Sequence, residues 1–262
     1  QSLSTAYPPR AIETMGEILK PDSNASENLK LSILRVWRNP RLFAAPPPAT
    51  ATAAQNAAAK ELKSFLRETL AKSFQNEKNL RVRIEVIYRL ATFADVESLD
   101  YLKRFYAAEN EPDIKKEIIN SLSVTASVYE TLKPAQKQSA DVYAAREELP
   151  KAGIDFLLEI LRTERDANLK RQALEALRRF QERTLDAPTV DALARAYDSE
   201  ADEDFKISLV RIFANAKQTA AIKKLLDIAK NDKSDKLRLE AIYSLRTSKD
   251  PEGLKFLEDL IK

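Results

Sequence analysis

One arrangement of apolar and polar positions returns six times along the chain. In its clearest copy, DKLRLEAIYSL (235–245), Leu237 is followed by a base, Arg238, and then by Ala241, Ile242 and Leu245. At about 100° per residue these apolar positions share one face of a helix. The frame recurs at Leu29/Lys30/Ile33/Leu34/Trp37, Val82/Arg83/Val86/Ile87/Leu90 and Ile114/Lys115/Ile118/Ile119/Leu122. It returns at Leu169/Lys170/Ala173/Leu174/Leu177 and Phe205/Lys206/Leu209/Val210/Phe213. Each motif helix is followed by a second amphipathic stretch, its companion, such as the one carrying Ile222, Leu225 and Ile228. Below, the first apolar residue of a motif helix occupies slot one, and its base slot two.

The copies start at 29, 82, 114, 169, 205 and 237, in steps of 53, 32, 55, 36 and 32. A period near 32 is thus enlarged twice, both times between a motif helix and its companion. The pattern predicts a tail and short capping helix over 1–25 and a repeat array over 26–262. Irregular inserts fall near 41–57 and 127–148. The first insert is rich in Pro, Ala and Thr. The second carries Tyr129, Leu132, Val142 and Tyr143 at spacings able to form a short helix.

Only three glycines occur in 262 residues, which argues against a sheet-rich fold with many tight turns. Cysteine and histidine are absent, so thiol and imidazole chemistry and the usual zinc ligands are missing. The expectation is therefore no metal, no cofactor and no catalytic constellation. Acidic runs such as Asp202/Glu203/Asp204 read as helix caps. With 43 bases against 40 acids the net charge is +3, and nucleic acid is not implied. No apolar run reaches the roughly 20 residues needed to span a bilayer. The polar, proline-containing opening QSLSTAYPPR suits a processed end, so a periplasmic or otherwise exported location is expected, with a cytoplasmic one as the alternative.

The unit itself resembles HEAT repeats, and among them the short phycobilisome-lyase-type repeats. The residues that carry the resemblance are DKLRLEAIYSLRTSKDPEGLKFLEDLI (235–261) and DANLKRQALEALRRF (166–180). They share an acidic first turn, a base after the first apolar residue, and Ala-Ile/Leu at mid-helix; the first also has a D-P-E-G-L companion start. The resemblance implies an all-α fold, a right-handed α-solenoid of about six HEAT-like helix pairs, commonly a protein-binding scaffold.

The slot-two base (Lys30, Arg83, Lys115, Lys170, Lys206, Arg238) lies inside the apolar arc. Its stem is expected to pack between units while its head meets an acid at a helix start: Glu27, Asp113, Asp166, Asp202 or Asp235. The opposite face selects slot seven (Arg35, Tyr88, Asn120, Glu175, Arg211, Tyr243), with Arg89 beside it and Arg38, Arg178 and Arg246 at slot ten. Tyrosine and arginine are enriched at interface hot spots, which makes this strip the expected partner-binding surface. An ordinary solvated face is the competing reading. Trp37 shares its slot with Leu245 and is expected in the core.

The function expected from these features is a non-enzymatic scaffold that binds a protein partner through this strip and the edge inserts. The alternatives are an enzyme or enzyme-associated HEAT-like protein, similar to bilin lyases or DNA glycosylases, or a nucleic-acid binder by shape.

Overall fold

A computed structural model describes residues 9–20, 23–37, 52–132, 140–216 and 218–260. Among them the chain forms thirteen helices and no strand. They are α1 (Pro9–Ile18), α2 (Glu27–Val36), α3 (Ala53–Asn76), α4 (Leu80–Ala91), α5 (Val96–Ala108), α6 (Pro112–Leu132) and α7 (Ala140–Thr163). The remainder are α8 (Ala167–Thr184), α9 (Ala187–Ser199), α10 (Glu203–Asn215), α11 (Thr219–Asn231), α12 (Asp235–Ser248) and α13 (Pro251–Leu260). The motif helices are α2, α4, α6, α8, α10 and α12.

Their starts are set by capping. Ser26, Asn79, Asp166, Asp202 and Ser234 each accept a hydrogen bond from a first-turn N–H, and so open α2, α4, α8, α10 and α12. Among the companions, Asp95 and Asp186 cap α5 and α9 in the same way, and Asp250 accepts from the N–H groups of Glu252 and Gly253.

The chain divides into two compact units, Gln1–Gly153 and Ile154–Lys262. In the first, α2, α4 and α6 stack in succession, with α3 and α5 packed on α4 and α5 also on α6. In the second, α8, α10 and α12 stack likewise, beside a second row of α9, α11 and α13. Each unit is thus a stack of helix pairs, as the 32-residue period predicts.

The core is the apolar arc of the motif. Ile33, Leu34, Trp37, Val86, Ile87, Leu90, Leu209, Val210, Phe213, Ala241 and Leu245 are all buried. Burying one such Leu or Ile is worth about 2–3 kcal/mol relative to leaving it in water. Slot one is buried in five motif helices, yet Leu29 on α2 is 45% exposed while Leu31, two residues on, is buried.

The second insert departs from expectation: 127–132 continues α6, and 140–148 belongs to α7, which runs on through Pro150. The first insert falls mostly on 38–51, outside the described residues.

Candidate functional site

The slot-two bases form a structural ladder, but not with the acids expected. Lys30 Nζ donates to Glu77 Oε2 at 2.7 Å, Lys170 Nζ to Glu200 Oε2 at 2.9 Å, and Arg83 pairs with Glu109. Each acid lies in the loop before the next motif helix, not at the base's own helix start. Asp166 and Asp202 are occupied as caps instead. Arg238 follows the expectation, pairing with Asp235.

These loop acids also organise the loops. The other carboxylate oxygen of Glu77 accepts from the N–H groups of Lys78 and Asn79, that of Glu109 from Asn110 and Glu111, and that of Glu200 from Ala201 and Asp202. An aromatic residue three positions earlier completes the arrangement. Arg83 lies 4.5 Å from the Phe74 ring centroid, Lys115 4.7 Å from Tyr106 and Lys206 4.7 Å from Tyr197. A base thus stacks on the last turn of the companion helix that precedes its own helix, and where its ion pair forms it reaches the loop before the next motif helix. Arg83 does both.

Burial pushes the carboxyl of Glu77 up, but hydrogen bonds from the Lys30 ammonium and the Asn79 N–H outweigh it and hold the group below its ordinary range. In Glu109 the Glu111 N–H and Arg83 overcome the same effect, and in Glu200 Lys170 and the Asp202 N–H do so. Tyr197 donates its hydroxyl to Asp232 at 2.7 Å. Burial first, and this bond second, push the phenol well above its usual range.

Several strip residues are engaged by neighbouring side chains of the motif helices. The Tyr88 hydroxyl donates to Glu117 on α6 at 2.6 Å, and Arg211 Nε donates to Glu240 on α12 at 2.8 Å. In both cases slot seven of one motif helix meets slot four of the next. Arg178 pairs with Glu175 at 3.4 Å on its own helix. Arg89 is buried and pairs with Glu85, so it does not belong to the exposed strip. Arg35 is exposed, Asn120 is half-buried, and Arg38 lies outside the described residues. At the strip's end Tyr243 is 57% exposed, and the Arg246 guanidinium lies 5.2 Å from its ring centroid.

Trp37 is buried, as its slot predicts. Among the described residues no group of three or more acidic side chains is placed to hold a metal ion, and no helix is long and apolar enough to cross a membrane.

The stacked pairs, with their cross-loop ladder, define an all-helical repeat protein. The chain is similar to the solved structure of human deoxyhypusine hydroxylase in complex with glycerol. Their identity is 16% and the TM-score 0.34, over 95% of this chain and 89% of that one. No protein-family model matches the chain. No curated protein matches it either.

The expectation of a non-enzymatic scaffold is withdrawn on this finding, because the matching structure is that of an enzyme. The strip that carried the expectation also spends much of its polar capacity on its own helices. At this TM-score the match assigns no chemistry to the chain.

Proposed function

We propose that this chain is an enzyme-associated HEAT-like protein of the phycobilisome-lyase type, holding an anionic substrate on the strip of α10 and α12. The observation that supports it is the pairing of Arg246 with Tyr243. Both side chains are exposed, and among the described residues Arg246 stacks on the ring with no carboxylate partner. A guanidinium oriented by an aromatic face keeps its fork of N–H donors available for a carboxylate or phosphate. Tyr243 lies one helical turn from Glu240, which holds Arg211, so a second guanidinium stands on the same strip. The D-P-E-G-L companion start at 250–254 supports the finer assignment.

The test is a titration with biliverdin, a dicarboxylate, followed by its absorption spectrum. Saturable binding weakened about tenfold or more by Arg246→Ala is expected, from the loss of a charge-assisted hydrogen bond. Absence of binding, or indifference to Arg246→Ala, overturns the reading. Salt-sensitive binding of a single-stranded oligonucleotide in its place moves the protein to the nucleic-acid class.

A further inference from the structure

Lys63 stands on α3 one turn before Arg67, on the side that meets the start of α5. Arg67 is buried; its guanidinium donates to Asp95 Oδ2 at 2.5 Å and lies 5.7 Å from the Phe93 ring centroid. The other carboxylate oxygen of Asp95 takes the Ser98 N–H at 2.9 Å and caps α5. Both oxygens of Asp95 are therefore engaged. Lys63 is half-buried yet makes no hydrogen bond and no ion pair among the described residues, whereas Lys30 and Lys170 each hold a glutamate. Burial lowers its ammonium below the ordinary range against the pull of Asp95, while Arg67 adds to the lowering and Glu97 opposes it. A desolvated amine beside another cation is an activated nucleophile.

We propose that Lys63 captures a small uncharged aldehyde or ketone as a reversible imine, with Asp95 and Glu97 as its counter-charges. The neutral amine adds its lone pair to the carbonyl carbon, and one of its protons passes to the carbonyl oxygen. A further proton from solvent lets that oxygen leave as water, and a C=N bond remains whose nitrogen carries a proton. The product keeps a positive charge where Asp95 and Glu97 act on the nitrogen. An acyl group would instead leave a neutral amide there and forfeit both interactions. Glu97 is exposed, so it disfavours a carbonyl compound that bears a carboxylate of its own. The site uses none of the residues of the anion-binding strip, and it stands or falls separately from that reading.

The probe is propionaldehyde, given in limiting amount to the full chain at neutral pH with sodium cyanoborohydride, which reduces each imine to a stable propyl-lysine read by peptide mass spectrometry. Lys60 and Lys72, exposed on the same helix, are the controls. Exposure alone favours the controls, whereas Lys63 is expected to be alkylated about threefold faster or more. Arg67→Gln frees Asp95 for Lys63 and should bring its rate down to theirs, in material whose circular dichroism matches the parent. Alkylation of parental Lys63 no faster than of Lys60 and Lys72 overturns the proposal, and this result decides by itself if Arg67→Gln does not fold. An unchanged rate in folded Arg67→Gln overturns it too, as does selective reaction of Lys63 with acetic anhydride but not with propionaldehyde.

Discussion

Replacing Glu109 with Gln leaves the Arg83 guanidinium, largely buried against Phe74, without its counter-charge, and weakens the acceptor of two loop N–H groups. Urea unfolding should show a loss of about 2–3 kcal/mol, the range for a charged hydrogen-bonded group left with a poorer partner. Ala94 tests the backbone. It holds φ 49°, a left-handed conformation that costs a residue with a Cβ, at the turn just before the Asp95 cap. Lys249, at φ 56°, stands in the equivalent place before Asp250. Ala94→Gly should therefore raise stability by about 0.5–1 kcal/mol in the same assay. The sequence made the bases visible as a ladder because they recur in frame. It did not reveal the partners of Lys30, Arg83 and Lys170, because those pairs join different repeats. The signal that could have found them was the acid six residues before each later base, with an aromatic three before it in three of the five.

At the scale of the element, Leu245 joins α12 to α13. It is buried, and a Cβ added to Gly253 on α13 would lie 3.1 Å from its Cδ2. Leu245→Ala should cost about 2–5 kcal/mol by thermal or urea unfolding, since packed neighbours collapse incompletely around such a void. Motif helices were legible in the sequence because the 3.6-residue period and Ser/Asn/Asp caps agree on the same boundaries. The helical parts of the second insert were not. Pro150 and a weak apolar pattern suggested irregular chain, whereas the structure carries α7 through that proline. Nor could the pattern show that Tyr88 would be held by Glu117, and Arg211 by Glu240, each on the following motif helix.

For the whole molecule, the loop acids predict how stability depends on pH. Glu77, Glu109, Glu200 and Asp232 are all held below their ordinary range. Groups depressed in the folded state contribute stability that is present above their unfolded pKa, about 4. That stability is lost as pH falls through the folded values. Tyr197 is raised, so its contribution is complete below its ordinary value of 10.0 and lost above it. The urea midpoint should be nearly flat between about pH 6 and pH 9, falling on both sides. Glu200→Gln should shrink the acid limb and leave the alkaline one in place.

The latch between successive loops also bears on where this chain tolerates change in length. From aromatic to acid to cap to base, the spacing across a companion-to-motif junction is fixed, because Arg83 must touch Phe74 behind it and Glu109 ahead of it. The motif-to-companion junction carries no such measure. Both enlargements of the 32-residue period fall at that second kind of junction, after the first and third motif helices. Extra residues spliced in behind α10 should therefore disturb folding less than the same residues spliced in behind Tyr197. The repeat behaves as a ruler marked on one edge only, and sequence can grow on the other.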